Sequence, residues 1–182
     1  MRSFQEEGNL DAFRLLFERH KDGFVTFLAG LAGSREAAED LSQQVWLKLI
    51  DVARRGDYRE TARFRTYLYT LGRNLYIDEF RRKHASTRTD PLGDRPLEDA
   101  DANADPGRRA ARDERRSILA QAMADLPLEQ REVIALWAAG TSTEAMASIT
   151  GAPPDTVLSR KKYALDKLRK ALSAAGIERG EL

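Results

Sequence analysis

The chain has 182 residues, enough for one ordinary domain or two small ones, of which 42% are hydrophobic and 32% charged. It has no cysteine, which excludes a disulfide framework and a thiolate metal site. No apolar run has the length of a membrane span, and the first residues lack the apolar stretch of a secretory signal. We therefore expect a cytoplasmic protein.

The net charge of +1 conceals an uneven distribution along the chain. Residues 1–84 carry 15 basic and 13 acidic side chains, and residues 106–182 carry 13 and 10. The segment between them, 85–105, carries 2 basic and 6 acidic side chains. Two mildly basic parts thus flank an acidic connector, and a basic stripe on one face would matter more for nucleic-acid binding than the total charge.

Residues 10–84 have the apolar spacing of amphipathic helices. One helix carries the run of phenylalanines and leucines up to residue 31, and Gly33 ends it. Ser34, followed by acidic residues, predicts the start of a second helix, and a third is expected from about residue 64 to residue 83. Since no window alternates as a strand does, the sequence predicts an all-α fold.

Residues 85–107 have a different composition, with three prolines, two glycines, six acids and few bulky apolar side chains. Such a segment buries too little surface to offset the entropy of ordering it, so we expect a flexible linker. Helix should resume near residue 108, followed by helices at 118–125, 128–139, 143–150 and 154–174. The predicted organisation is a first domain at 1–84, a linker at 85–112 and a second domain at 113–182.

The second predicted helix carries a polar patch. Asp40, Gln43, Gln44 and Leu47 are three or four residues apart, which places them on neighbouring rows, and Trp46 lies on an adjoining row. Amides beside a large aromatic are typical of a protein–protein hot spot. The alternative is that Trp46 belongs to the core and the amides are simply solvated.

The stretch after this helix interleaves aromatic residues with arginines. It runs from Tyr58 to Tyr69 and leads into a cationic helix end at residues 81–83. Stacking platforms combined with cations favour binding of single-stranded nucleic acid. Aromatic residues at helical spacing are, however, more often part of the core.

The most informative segment is a helix-turn-helix pattern at residues 141–172. Thr141 and Glu144 fit a capping box, Gly151 fits a left-handed helix end, and Pro154 fits the first turn of the next helix. That helix is apolar on one side and basic on the other, and such helices enter the major groove of DNA. Its outward residues are expected to be Asp155, Thr156, Ser159, Arg160 and Lys162. The alternative is an ordinary surface helix with solvated charges.

The sequence shows no nucleophile motif, phosphate-binding glycine loop or metal-ligand spacing. His20 and His84 have no partners at ligand spacing. We therefore expect no enzyme activity, no cofactor and no metal.

Taken in order, these patterns resemble the extracytoplasmic-function (group 4) sigma factors of bacterial RNA polymerase. The strings that carry the resemblance are residues 37–46, 64–69, 72–82 and 126–133, followed by the helix-turn-helix. The likeness covers residues 10–84 and 118–172. It implies a protein reduced to sigma domains 2 and 4, which binds core polymerase and directs it to promoters.

The resemblance also implies roles for individual residues. The helix of residues 40–47 would dock on the clamp of the largest polymerase subunit, domain 4 would contact the flap of the second-largest subunit, and residues 155–162 would read the minus-35 element. The acidic linker would thread toward the active-site cleft. Residues 59–65 would form the base-capture loop, which holds a base flipped from the non-template strand of the minus-10 element. That element would be recognised and melted by Arg59, Arg63, Phe64, Arg65, Tyr67, Arg73, Asn74, Arg81 and Arg82.

One departure from the family pattern lies in the predicted recognition helix. Leu158 stands where a cation is usual, and Lys161 stands where an apolar core residue is usual. We expect the apolar seam to shift toward Leu158, Leu165 and Leu172. Either the helix is then rolled slightly about its axis, or it presents an unusual set of side chains, and both alternatives would change the minus-35 preference. An anti-sigma partner and control by modification at Thr61 are also open. The rival functions are a stand-alone helix-turn-helix regulator and an interaction adaptor.

Overall fold

The computed structural model describes residues 1–59, 63–86 and 106–177. Within those ranges the chain forms helices and no strand, so the predicted all-α fold class is confirmed. In chain order the helices are α1 (Arg2–Glu7), α2 (Leu10–Ala32), α3 (Arg35–Arg54), α4 (Phe64–Ser86), α5 (Pro106–Ala124), α6 (Leu128–Ala138), α7 (Thr143–Thr150) and α8 (Pro154–Ala174).

The N-terminal half, defined as the described residues up to 86, starts its long helices with side-chain caps. The Asn9 side chain accepts a hydrogen bond from the backbone N–H of Ala12 at 3.0 Å, and Ser34 accepts one from Ala37 at 3.2 Å. Gly33 ends α2 in the left-handed conformation with φ 77°, which a residue with a Cβ seldom adopts. The predicted break and restart around Gly33 and Ser34 are thereby confirmed.

Close packing of α4 on α2 depends on a glycine. A Cβ added at Gly72 would lie 2.6 Å from Cζ of Phe24, which is fully buried. The absence of a side chain at Gly72 therefore lets the phenylalanine ring lie against the α4 backbone. This contact positions the arginine-bearing helix α4 on the core of the N-terminal half.

The C-terminal half, defined as residues 106–177, begins close to where the sequence predicts helix to resume, near residue 108. Helix α5 starts at Pro106 and continues without a break to Ala124, so the helix predicted separately at 118–125 is its last part. The first part of α5 is rich in arginine and alanine, so the apolar periodicity becomes visible only near Ile118. Helix therefore covers part of the segment assigned to the linker, and residues 87–105 of that linker lie outside the described residues.

The cap of α7 lies one residue later than predicted. Ser142, and not Thr141, is the N-cap, and its side chain accepts from the backbone N–H of Ala145 at 3.3 Å. Thr141 is buried, and its own N–H donates to the carbonyl of Leu136 at 3.0 Å. This turn bond commits Thr141 to the end of α6, so the predicted capping role of Thr141 is wrong.

The two halves pack directly on each other. One apolar cluster extends from Phe24 and Leu28 of α2 to Val133 and Leu136 of α6. The closest approach is between α2 and α6, where a Cβ added at Gly30 would lie 2.7 Å from the Cβ of Ala135. A smaller cluster joins α5, α6 and α8 within the C-terminal half. We call this packing of the two halves the closed arrangement.

Candidate functional site

Helix α3 presents the predicted polar patch to solvent. Its opposite face is buried in the core, which directs Asp40, Gln43, Gln44 and Leu47 outward. The Leu47 side chain is 58% exposed and stands beside the two amides. An exposed leucine ringed by hydrogen-bonding groups matches the anatomy of a protein-binding surface. We call these four residues the α3 patch.

Trp46 lies beneath this patch and is not part of it. Its side chain is 5% exposed, and its ring meets those of Phe17 at 5.0 Å and Phe13 at 5.9 Å. Phe24 and Phe64 complete the aromatic cluster around it. Of the two interpretations of Trp46, the structure therefore supports the one in which it belongs to the core. Trp46 supports the α3 patch from inside.

The predicted base-capture loop has only its two ends in the described part of the chain. Arg59 and Arg63 are exposed at these ends, and Thr61 lies outside the described residues. Tyr58 is buried, and its ring meets that of Tyr67 edge to face at 5.3 Å. The described residues on either side of the loop are therefore held together by this aromatic pair.

Helix α4 does not offer all of its predicted DNA-contacting residues to solvent. Asn74, Arg81 and Arg82 are exposed, whereas Phe64 and Tyr67 are partly buried among other aromatic rings. Three exposed polar side chains along one helix suit contacts with a phosphate backbone. The remaining two residues, Arg65 and Arg73, are bound to the C-terminal half.

Arg65 reaches the turn between α6 and α7. Its guanidinium donates to the carbonyl of Ala139 and, at 3.4 Å, to the hydroxyl of Thr141. The same group lies over the ring of Tyr69, with 5.1 Å from Cζ to the ring centroid. A guanidinium that binds a helix C-terminal carbonyl also faces the negative end of the helix dipole. Arg65 therefore joins the two halves.

Arg73 makes the second connection. Its Nε lies 3.1 Å from Oε1 of Glu132, and its terminal nitrogen donates to Oε2 at 3.2 Å. The Glu132 side chain is 1% exposed, and burial raises its pKa, while Arg73 and Arg160 act in the opposite direction. A buried carboxylate is costly to maintain without a partner, so this ion pair ties α4 to α6.

Helices α7 and α8 have the predicted helix-turn-helix geometry. Gly151 ends α7 with φ 70°, and Pro154 occupies the first turn of α8. Among the predicted outward residues, Asp155, Ser159 and Lys162 are exposed. Thr156 and Arg160 are partly buried, and Arg160 lies on the side of α8 that faces Glu132.

The expected shift of the apolar seam on α8 is wrong. The buried row consists of Val157, Ala164, Leu168 and Leu172, and Leu158 is 50% exposed. Lys161 takes the core-side position without burying its charge, because its Nζ lies over the Trp137 ring at 4.3 Å from the centroid. The cation–π contact accommodates Lys161, so the helix has no need to roll. Tyr163, a residue that the sequence pattern did not single out, is 61% exposed.

An apolar groove of about 1210 Å³ lies beside the contact of α2 with α6 and is lined by α2, α3, α5, α6 and α8. Leu47 of the α3 patch lines it from the N-terminal half, and Met123, Trp137 and Leu165 line it from the C-terminal half. The groove was not predicted, because its walls come from distant parts of the chain.

Among the described residues, no helix has the length and apolarity of a membrane span. The same residues contain no cluster of three or more side chains of the kind that hold a metal ion.

Comparison with known proteins shows which family the chain resembles. The family model Sigma-70 region 2 matches residues 16–86. The RNA polymerase sigma factor CarQ of Myxococcus xanthus is 30% identical over 177 residues, covering 94% of this chain and 95% of CarQ. The ECF RNA polymerase sigma factor SigL of Mycobacterium tuberculosis is 32% identical over 169 residues, covering 91% and 92%.

Two solved structures share the fold. One is the sigma factor RpoE in complex with the anti-sigma factor NepR from Bartonella quintana, with a TM-score of 0.68 and 21% identity. The match covers 89% of this chain and 97% of the RpoE chain. The other is CnrH in complex with the cytosolic domain of CnrY, with a TM-score of 0.67, 22% identity and 95% coverage of both chains.

Proposed function

This chain belongs to the extracytoplasmic-function sigma factors of RNA polymerase, which direct promoter recognition and transcription initiation, and from that premise we propose how its surfaces divide the work. The observation that carries the proposal is the pairing of an exposed helix-turn-helix with the exposed α3 patch on one chain. A stand-alone regulator needs the first surface but not the second.

The α3 patch is the proposed docking surface for core polymerase. It offers carboxylate and amide groups around Leu47, the arrangement that gives an interface both an apolar anchor and a polar rim. Because Trp46 stiffens the helix from below, the patch is preorganised for binding. Promoter DNA is the second proposed partner, and the chain itself supplies no catalytic step.

DNA contacts are proposed on two helices. On α4, the minus-10 contacts come from Asn74, Arg81 and Arg82, joined by Arg65 and Arg73 once these leave the C-terminal half. The loop ends at Arg59 and Arg63 flank the proposed base-capture segment. On α8, Asp155, Ser159 and Lys162 face the minus-35 duplex, and exposed polar side chains on the first turns of a recognition helix reach base edges there.

The test is run-off transcription with purified core polymerase, with and without the chain, on promoters selected from genomic DNA. We expect promoter-specific transcripts only when the chain is added. Leu47→Asp should abolish them by preventing assembly with core polymerase, while Lys48→Ala, an exposed neighbour outside the patch, should leave them unchanged. Binding of DNA as a dimer without any polymerase-dependent transcript would favour the stand-alone regulator.

An anti-sigma protein is the proposed regulatory partner, with an apolar helix seated in the groove between the halves. The support is the lining of the groove by Leu47, which also belongs to the α3 patch, so that an occupant would block polymerase docking. Both structural neighbours are complexes with another protein, which in the RpoE structure is the anti-sigma factor NepR. The expected partner loses binding to Met123→Glu but not to Lys170→Glu, and suppresses run-off transcription when purified. A bound protein that leaves transcription unchanged would contradict this.

A further inference from the structure

We propose that Leu158 and Tyr163 form an apolar reading element on α8 that selects thymine in the minus-35 duplex through its C5-methyl group. The inference rests on the proposed role of α8 in minus-35 recognition. Leucine at residue 158 lacks the cation that is usual there in the family, and in its place it offers an apolar contact to the DNA.

The two side chains are exposed on the first turns of α8, the segment proposed to enter the major groove. α8 begins at Pro154, so both lie within about 15 Å of its N-terminus at a rise of about 1.5 Å per residue. They are among the exposed large hydrophobic residues of the described chain. Steps of four residues place Leu158 beside Lys162 and Ser159 beside Tyr163, whereas Leu158 and Tyr163 are about 140° apart around the helix. These four residues cover the outward side of α8 with an apolar side chain at each edge, and we call them the reading patch.

Lys161, the cation exchanged with Leu158, does not belong to the reading patch. Lys161 lies one turn from Leu158, but its ammonium group is held over the ring of Trp137 on α6. It is directed away from the reading patch. The patch thus offers two apolar bodies, the Ser159 hydroxyl and the Lys162 ammonium to its ligand.

Thymine is the only base that presents a methyl group in the major groove. Leu158 and the ring of Tyr163 can each bury apolar surface against the methyl group of a different thymine, whereas cytosine places only hydrogen there. Removal of one methyl group from such a contact weakens binding by about threefold to tenfold. Asp155, at the start of the same face, is suited to accept from the amino group of cytosine at a neighbouring pair.

The experiment uses the holoenzyme, formed from core polymerase and the full chain, on a promoter recovered from a random DNA pool. Each thymine of the minus-35 duplex is replaced in turn by deoxyuridine, which lacks only the methyl group. We expect a threefold to tenfold loss of affinity at one or two positions. In Leu158→Ala, or in Tyr163→Ala for the adjacent position, that loss should disappear.

Lys170→Ala is the control, because this exposed cation lies further along α8 and should leave the deoxyuridine penalty unchanged. Equal binding of thymine and deoxyuridine at every position would overturn the proposal. So would a penalty that persists in both variants, or a Leu158→Ala variant that loses polymerase binding with its DNA selectivity intact. A wild-type holoenzyme that gives no transcript would overturn the proposed function instead.

Discussion

The two surfaces proposed to contact promoter DNA are in different states in this structure. On α8 the reading patch and its neighbours are open to solvent. On α4, Arg65 in the first turn is bound to the α6–α7 turn, and Arg73 near the middle of the helix is bound to α6. Both helices are rich in cations, so charge alone does not distinguish them. The difference is in what each face meets when the halves pack.

This contrast implies an order of events. The minus-35 surface can meet duplex DNA while the halves remain packed, but the minus-10 surface becomes complete only after they separate. Binding of the α3 patch to core polymerase can supply free energy for that separation if the polymerase holds the halves apart. The closed arrangement would then reduce binding to DNA by the chain alone.

The largest expected effect comes from removing the buried carboxylate. Glu132→Ala leaves Arg73 without its partner in a partly buried position, and loss of one member of such a pair costs about 3 kcal/mol. Urea unfolding of the full chain measures the change. Glu129→Ala, an exposed carboxylate on the same helix, should lower the free energy of unfolding by less than about 1 kcal/mol. Equal effects of the two variants would show that the ion pair between Arg73 and Glu132 is unimportant for stability.

A steric wedge between the halves should have the next largest effect. In Gly30→Val the new side chain meets Ala135 and should destabilise the packing of α2 on α6 by about 2 kcal/mol. Energy transfer between dyes on Asp51→Cys and Ser173→Cys reports the separation of the halves, and we expect it to fall. Thr26→Val introduces the same residue one turn earlier at an exposed site and should leave the transfer efficiency unchanged.

The third prediction concerns pH. Burial raises the pKa of Glu132 in the folded chain above its ordinary value of 4.5, so the folded state binds more protons than the unfolded state above that pH. The part of the stability that depends on protonation of Glu132 is therefore complete below pH 4.5 and is lost as the pH rises through the folded-state pKa. Relative to Glu132→Gln, the free energy of unfolding of the wild type should fall by at most about 1.4 kcal/mol per pH unit. Parallel curves for the two proteins would contradict the assignment.

The smallest expected effect tests why α8 does not roll. Lys161→Met removes the cation over Trp137 and should lower the free energy of unfolding by about 0.5 kcal/mol. Lys162→Met, an exposed neighbour without this ring contact, provides the baseline. If Lys161→Met instead stabilises the chain, apolar burial at this position outweighs the cation–π contact.

The sequence predicted the elements well because their signals are local. Caps such as Ser34 and helix ends such as Gly33 and Gly151 act within a few residues, so their positions can be read from the chain itself. The predicted cap at Thr141 was wrong by one residue, because the backbone N–H of Thr141 donates to the carbonyl of Leu136 and holds this residue at the end of α6. Assignment to the sigma factors likewise rested on short strings in a fixed order.

By itself, then, the sequence determined the all-α fold, the helix-turn-helix, the family and the exposed face of α3. Only the tertiary structure decided that Trp46 is core, that Leu158 is exposed, and that Arg73 meets a carboxylate 59 positions away in the chain. The physical reason is that helical periodicity assigns residues to faces but does not state what packs against each face. The same arginine in the sequence pattern can be bound to water, to a phosphate or to a buried glutamate. For Arg73, the packing of the two halves places a buried glutamate, Glu132, beside the guanidinium.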